Sequence, residues 1–203
     1  MAEKRRRLSR DDWVAAALAA LGEGGVGAVA IEPLAARLGA TKGSAYWHFA
    51  NRDELLAAAL QRWEHEETDA VIALVSAEPD PAAGLRILLG AALTHPQEKL
   101  AVLLAGVADP LVEPVLTRVT TRRIEYLTAL FARLGFEDPS AKHRAALAYS
   151  AYLGTGQLWR TMRGTLPVDQ AAWDSYVDEV WRVLIAPGSD DHRQAPDNPR
   201  SPR

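Results

Sequence analysis

The sequence predicts an all-α protein, and three observations support this fold class. Alanine occurs 37 times in 203 residues, which gives nearly every segment a high helix propensity. Apolar side chains recur at spacings of three and four residues, as they do along one face of an α-helix. Runs in which β-branched or aromatic residues alternate with polar ones are absent. We therefore expect about nine helices.

The first helix is expected between Ser9 and a glycine-rich segment. Ser9 is typical of an N-cap, and Asp11 and Asp12 follow it in the first turn, where acidic groups favour the helix dipole. The glycine-rich segment, 22–27, formally matches G-x-G-x-x-G. A dinucleotide site needs a strand before that motif and a helix directly after it. Here a helix precedes it, so we interpret the segment as a helix stop and a loop.

Three further helices are predicted before residue 67. A short second helix ends at Gly39, Thr41 can cap a third that runs to about Phe49, and Asn51 or Arg52 opens a long fourth. The apolar positions at helical spacing are Val14, Ala17, Leu18 and Leu21, then Ile31, Leu34, Ala35 and Leu38, then Leu55, Leu56, Ala59, Leu60 and Trp63.

Prolines separate five more predicted helices in the rest of the chain, of which the last two span about 140–163 and 168–186. The final segment, 187–203, holds four prolines and no large apolar residue, and we expect it to be disordered. The predicted organisation is an N-terminal helix-turn-helix domain at 7–67, a helical ligand-binding and dimerisation domain at 68–186, and this tail.

Composition narrows the possible functions. The absence of cysteine excludes disulfide frameworks, Cys-zinc sites and thiol catalysis. No apolar run is long enough to span a membrane, and the first residues lack the apolar region of a secretory signal, so we expect a cytoplasmic protein with no membrane partner. The net charge of −3 argues against a uniformly basic surface, although residues 1–10 carry five Lys or Arg.

Residues 31–49 have the layout of a helix-turn-helix. A short amphipathic helix is followed by a turn containing Gly39 and by a second short helix. Such a pair allows one helix to enter the major groove while the other braces it. The exposed face of the second helix would carry small, hydrogen-bonding and aromatic groups suited to phosphates and base edges: Lys42, Gly43, Ser44, Tyr46, Trp47 and His48.

The stretch AIEPLAARLGATKGSAYWHFANRDELLAAAL, residues 30–60, resembles the DNA-binding domain of TetR-type transcriptional regulators, with AYWHF and NRDELL as its most specific parts. This resemblance implies a homodimer that binds a palindromic double-stranded DNA operator as a repressor and is released by a small-molecule inducer. We expect no cofactor, no metal and no catalytic residue. Ala30 departs from the pattern, since the family usually has Ser or Thr there as a helix cap.

The resemblance also implies roles for individual residues. Thr41, Lys42 and Ser44 would begin the recognition helix, with Lys42 and Ser44 reaching base edges and Gly43 allowing close approach to the groove. Backbone phosphates would be contacted by Tyr46, His48 and Arg52, and Trp47 would meet DNA or support the helix. The basic run Lys4–Arg7 is expected to add non-specific phosphate contacts.

Five residues in the second half are candidates for a ligand pocket, because they combine bulk with hydrogen-bonding tips: Tyr126, Tyr149, Tyr152, Gln157 and Trp159. The alternative is that they belong to the ordinary core or to an interface. If they line a pocket, its ligand would be a largely apolar small molecule. His65, which has acidic neighbours, lacks a second metal ligand four residues away and is interpreted as part of a solvated face.

The segment 140–163 is rich in small residues that allow helices to approach closely. They can pack within the subunit, but the resemblance places the last two helices at a dimer interface, and we expect Trp173 and Trp181 on the apolar stripe beside them. Two other functions stay open: a constitutive helix-turn-helix protein without a ligand and, remotely, an all-helical enzyme. The enzyme is disfavoured because no nucleophile elbow, metal triad or phosphate loop is present.

Overall fold

The computed structural model describes residues 8–94 and 98–187, without the side chains of Glu98 and Arg163. Over these residues the fold is all-α, as predicted. Its helices are α1 (Arg10–Gly24), α2 (Ile31–Arg37), α3 (Lys42–Tyr46), α4 (Arg52–Glu64), α5 (Ala70–Ser76), α6 (Pro81–Thr94), α7 (Glu98–Ala105), α8 (Glu113–Arg133), α9 (Ser140–Thr161) and α10 (Gln170–Ile185).

Helices α4 and α5 are joined without a break by a π-helical turn, His65–Asp69. They therefore form one continuous helix from Arg52 to Ser76. Counted in this way, the described part of the chain contains nine α-helices, in agreement with the sequence. A π-turn accommodates one extra residue and is often found at functional sites.

Local capping signals determine where the first helices begin and end. The Ser9 hydroxyl accepts a hydrogen bond from the Asp12 amide, and the Asp12 carboxylate accepts one from the Ser9 amide, which confirms the predicted N-cap. Asn51 caps α4 through the Glu54 amide. Helix α1 ends at Gly25, whose φ of 75° favours glycine. The 3₁₀ turn Val26–Ala28 follows, so the glycine-rich segment is a helix end and a loop.

The helix-turn-helix differs from the prediction in two details. Thr41 occupies the N-cap position of α3, but its side chain makes no capping hydrogen bond, so the expected Thr41 cap is wrong. Helix α3 also ends at Tyr46 rather than near Phe49. Gly39, with φ of 61°, forms the turn before it. Ala45 and Phe49 are buried and hold this short helix against the domain.

Two hydrophobic cores stabilise the molecule. The first joins α1, α2, α3 and α4, with Trp13 and Trp63 completely buried, and it extends to Leu100 and Leu103 of α7 and to Leu116 of α8. The second joins α5, α6, α9, α10 and the C-terminal half of α8. Two α9 residues, Tyr152 and Leu153, pack against both cores. The continuous helix and α8 also contribute buried residues to both cores.

The predicted domain boundary at 67/68 lies inside the π-turn of the continuous helix. Because α7 and the start of α8 contribute to the first core, the division of the chain at this point stays a prediction. The basic run Lys4–Arg7 and the tail from residue 188 lie outside the described residues. No helix in the described ranges is long and apolar enough to cross a membrane.

An ion pair between the buried Glu64 and the exposed Arg118 connects the continuous helix to α8. The carboxylate of Glu64, at the end of α4, accepts two hydrogen bonds from the Arg118 guanidinium, with Nε at 2.8 Å from Oε1. These hydrogen bonds hold the pKa of the Glu64 carboxyl below its ordinary value of 4.5. A carboxyl group with a lowered pKa stabilises the folded state above the unfolded pKa, and this contribution is lost as the pH falls through the folded value.

Replacing Glu64 with Gln is therefore expected to lower the free energy of unfolding at pH 7 by about 1–2 kcal/mol, because the charge-assisted hydrogen bonds are lost. The difference from the wild type should shrink below the ordinary carboxyl pKa of 4.5. Urea unfolding followed by circular dichroism over pH 3–7 measures both effects. The exposed Glu125→Gln variant serves as the control and should change little at any pH. A Glu64→Gln deficit that does not depend on pH would contradict the assignment.

Candidate functional site

The recognition helix α3 presents an exposed face of mixed chemistry. Trp47 is 81% exposed and Tyr46 is 54% exposed, although both are large aromatic residues. Thr41, Lys42 and Gly43 are exposed at the start of the same helix. The opposite side carries the buried Ala45, so the face is rigidly presented to solvent. Exposed aromatic rings beside hydroxyl and ammonium groups can contact the sugar-phosphate backbone and the edges of bases.

Two of the predicted DNA contacts are half-buried. Ser44 lies at the side of the exposed face. The imidazole of His48 has its Nε2 atom 3.1 Å from the carbonyl oxygen of Leu8. Because a carbonyl only accepts, this hydrogen bond requires a proton on Nε2 and leaves Nδ1 for another partner. His48 thus connects the recognition element to the residue that follows the basic run.

Lys42 and Gly43 differ in what the fold requires of them. The Lys42 ammonium group lies 3.1 Å from the Glu32 carboxylate of α2, and both side chains are exposed. Such a pair contributes little to stability and can open in favour of another partner. Gly43 has space for a side chain, since a Cβ atom there would meet only the Thr41 hydroxyl, at 3.8 Å. The fold itself therefore does not require glycine at this position.

Arg52 has a role that the sequence did not predict. Its Nε donates to the carbonyl of Val29 at 2.9 Å, and its Nη2 donates to the carbonyl of Val26 at 2.6 Å. A third contact joins it to Asp53. These bonds attach the start of α4 to the loop between α1 and α2. The guanidinium group is therefore engaged within the protein, and its expected phosphate contact stays a prediction for the two N–H groups that remain.

A cavity of about 110 Å³ lies between the continuous helix and helices α6, α8 and α9. Three of the five predicted pocket residues line it, namely Tyr126, Tyr149 and Tyr152. The walls are mainly aliphatic, and their members are Val71, Ile72, Leu88, Leu89, Ala91, Ala92, Leu127 and Ala148. An apolar chamber with a few polar groups is the usual character of a small-molecule site.

The other two predicted pocket residues lie elsewhere. Gln157 is exposed and lines a separate surface groove between α7 and α9. Trp159 packs against Trp173, with the two ring centroids 5.7 Å apart. Gln157 lies five residues and Trp159 seven residues beyond Tyr152 along α9, and neither lines the cavity. Trp159 therefore contacts α10 and does not line the cavity.

The three tyrosine hydroxyls of the cavity already have partners. Ser76 donates to Tyr126 at 3.1 Å, and the hydroxyls of Tyr149 and Thr120 are 3.2 Å apart. Tyr152 lies 3.4 Å from the Arg123 guanidinium. Burial raises the pKa of Tyr152 to about 12 despite this nearby cation, so the phenol is neutral at physiological pH. The Tyr152 phenol consequently offers a hydrogen bond but no negative charge.

Sequence reasoning missed the polar residues that connect the cavity to the continuous helix. Arg123 of α8 donates to the Thr68 hydroxyl at 3.0 Å and to the Glu67 carbonyl at 2.8 Å, and both acceptors belong to the π-turn. The sequence does contain a signal for Arg123. This residue lies three residues after Thr120 and four before Leu127, on the inward stripe of its helix. A charged residue on such a stripe requires a buried partner.

Comparisons with known proteins agree with this geometry. The sequence profile of bacterial regulatory proteins of the tetR family matches residues 14–59, which include α2, α3 and most of α4. The chain contains a TetR-family DNA-binding domain. This confirms the resemblance seen in the sequence, and the matched family is one of transcriptional regulators. No curated protein sequence matches the chain significantly.

Solved structures of similar fold cover nearly the whole regulator. A TetR-family transcriptional regulator from Agrobacterium tumefaciens superposes with a TM-score of 0.70 at 19% identity, covering 87% of this chain and 97% of that one. A transcriptional regulator from Rhodococcus sp. Rha1 gives 0.66 at 21% identity, covering 89% and 100%. The multidrug binding protein EbrR, crystallised with imidazole, gives 0.58 at 27% identity, covering 93% and 96%.

The role of Arg52 in this TetR-family domain leads to a stability prediction. Arg52→Ala is expected to lower the free energy of unfolding by about 1–3 kcal/mol, because two charge-assisted hydrogen bonds to backbone carbonyls are lost. Arg52→Lys should recover only part of this loss, since an ammonium group cannot reach both carbonyls as a planar fork does. Thermal and urea denaturation followed by circular dichroism measure the change.

Arg37→Ala is the matched control, because Arg37 also makes two hydrogen bonds, to Glu23, but on the exposed surface. It should affect stability much less than Arg52→Ala. Equal losses in the two variants would contradict the structural role of Arg52.

Proposed function

We propose that this regulator is a cytoplasmic, ligand-responsive repressor that binds a palindromic operator as a homodimer and leaves it when a small molecule occupies the internal cavity. The observation that carries the proposal is the continuous helix Arg52–Ser76. One end of it holds the loop between α1 and α2 through Arg52, and the other end forms a wall of the cavity. A ligand in the cavity therefore contacts the same element that orients the DNA-binding surface.

The proposed DNA contacts divide into two kinds. Lys42 and Ser44 read base edges from the start of α3, and Lys42 exchanges its exposed partner Glu32 for a guanine. Tyr46, Trp47 and His48 contact the backbone and fix the position of the helix in the major groove. The hydrogen bond between His48 and Leu8 supports a contribution from the preceding basic run, because it brings the start of the described chain beside α3.

The second half of the chain supports the proposed ligand class and its coupling to DNA binding. The apolar walls and the three tyrosines favour a largely apolar molecule. The EbrR structure, described as a multidrug binding protein with bound imidazole, supports a ligand-binding role for the same fold. To release DNA, the ligand must bind the DNA-free conformation more tightly than the operator-bound one. An operator complex that no ligand weakens would instead favour a constitutive DNA-binding protein.

Gly43 provides a test that separates DNA binding from folding. Gly43→Ala is expected to raise the stability of the free protein by about 0.5–1 kcal/mol, because alanine favours the exposed helix. The same variant should weaken operator binding by about tenfold, since the added methyl group keeps α3 away from the groove. Fluorescence anisotropy on an operator selected from random duplexes measures the affinity.

Gly90→Ala is the matched control, since Gly90 also lies in a helix with open space around its Cα and is far from α3. Its operator affinity should equal that of the wild type. Unchanged operator binding by Gly43→Ala would refute the proposed close approach of α3 to DNA.

The proposed dimer interface uses the outer faces of α9 and α10. Leu147 is 59% exposed and Val183 is 62% exposed, and small residues surround Leu147 along α9, namely Ala146, Ser150 and Gly154. The two tryptophans that we expected at this interface make contacts within the subunit instead. Trp173 is buried between Trp159 and Tyr176, and Trp181 packs under the Arg86 guanidinium. The aliphatic and small residues therefore support the interface, and the tryptophans do not.

Sedimentation velocity at micromolar concentration should give a dimer for the wild type, with an interface of more than ~1,000 Å². Leu147→Glu is expected to shift the protein to a monomer, because the introduced carboxylates, one from each subunit, would be buried in the interface. Leu74→Glu is the control, since Leu74 of α5 is 68% exposed but lies away from α9 and α10. A monomeric wild type, or a dimer that Leu147→Glu leaves intact, would refute this interface.

A further inference from the structure

Two charged residues line the cavity, Glu67 and Arg123, and the hydrogen-bond partners of the Arg123 guanidinium are all neutral. The guanidinium donates to the Thr68 hydroxyl, to the Glu67 carbonyl and, at 3.4 Å, to the Tyr152 hydroxyl. It also lies over the rings of Trp63 and Tyr152, with its central carbon 5.6 and 5.8 Å from their centroids. These contacts stabilise a cation but do not neutralise it.

The carboxylates nearest to Arg123 are engaged with other cations. Glu67 lies 3.3 Å from Lys99, Asp69 lies 3.0 Å from Arg122, and Glu64 binds Arg118. Among the residues that the structure describes, no carboxylate is placed within 4 Å of the Arg123 guanidinium. Helix α8 thus contains three arginines near the π-turn, of which two have an acidic partner while the one at the cavity has none.

A half-buried cation beside an apolar chamber is electrostatically favourable for an anion. The charge of Arg123 is already partly removed from water, so an incoming carboxylate meets a desolvated, oriented donor. The cation Lys99 is balanced by Glu67, which leaves a net charge of one positive unit at this end of the cavity. A neutral ligand would leave that charge uncompensated, whereas an anion would pair with it.

The volume limits the size of the ligand. A cavity of about 110 Å³ is smaller than typical drug-sized sites and close to the ~150 Å³ engineered cavity that admits benzene. It therefore accommodates one ring or a short branched chain. The aliphatic residues Val71, Leu88 and Leu127 provide the surface against which such a group would pack.

We propose that the cavity binds a compact apolar carboxylate, such as a benzoate-like or short branched-chain acid, with the carboxylate on Arg123 and the apolar body against the aliphatic walls. This inference rests on the ligand-responsive function proposed above and specifies its ligand class. The bound carboxylate competes for the same guanidinium that holds the Glu67 carbonyl and the Thr68 hydroxyl. Binding therefore alters the hydrogen bonding of the π-turn at the centre of the continuous helix.

The test compares charged and neutral probes of equal shape on the full chain. Calorimetric titrations use benzoate against benzyl alcohol and 3-methylbutanoate against 3-methylbutanol. At least one acid is expected to bind about tenfold or more tightly than its neutral partner, the ratio that one charge-assisted hydrogen bond supplies. Equal affinities within both pairs, or no binding of either acid at millimolar concentration, would overturn the inference.

Variants locate the site. Arg123→Gln keeps hydrogen-bond donors without the charge and should abolish the preference for the acid, while the neutral probe binds as before. Arg122→Gln is the matched control, because Arg122 is the adjacent, exposed arginine of α8, and it should retain the preference. If Arg123→Gln is unstable, Arg123→Lys preserves the charge and should retain a reduced preference. Loss of the preference in Arg122→Gln but not in Arg123→Gln would overturn the assignment.

Operator release separates this inference from the proposed function. If the acid binds through Arg123 but leaves operator affinity unchanged, the ligand class stands and the repressor mechanism fails. If only neutral molecules bind and they release the operator, the mechanism stands and the carboxylate proposal fails.

Discussion

The packing of α1 against α4 is the contact on which the rest of the structure depends. It buries Trp13 and Trp63 completely and forms the centre of the first core. Since α4 continues through the π-turn into α5, the same contact sets the direction of the helix that forms one cavity wall. The DNA-binding face and the cavity therefore share one helix as their support. A change in side-chain packing along this helix affects both of its ends.

Much of the N-terminal fold is encoded locally. Ser9 and Asn51 cap their helices through groups three residues away, and the glycines at 25 and 39 adopt conformations that glycine favours. These signals, together with the apolar spacing, are sufficient to predict the helices and the helix-turn-helix. Thr41 shows the limit of such signals, because a residue type suited to capping sits at the right position and still makes no capping bond.

The site residues that sequence reasoning missed or misassigned depend on distant parts of the chain. Arg52 bonds to carbonyls 23 and 26 residues earlier, and Arg123 bonds to groups 55 and 56 residues earlier. Residue type and spacing do not identify backbone carbonyls as acceptors, since every residue has one. The three cavity tyrosines were predictable from residue type, because each combines bulk with a hydrogen-bonding tip. Trp159, farther along α9, lies against Trp173 of α10, a contact that only the packing of these two helices establishes.

The contribution of α7 to the first core has a consequence for building chimeric biosensors from this protein. Leu100 and Leu103 complete the packing around α1, and the Cβ of Gly25 would lie 3.5 Å from the Val102 side chain. A DNA-reading module cut at residue 67 would lose this cover and expose an apolar surface on α1. A transplantable module must therefore include α7 and the first turns of α8, or the recipient protein must supply an equivalent helix.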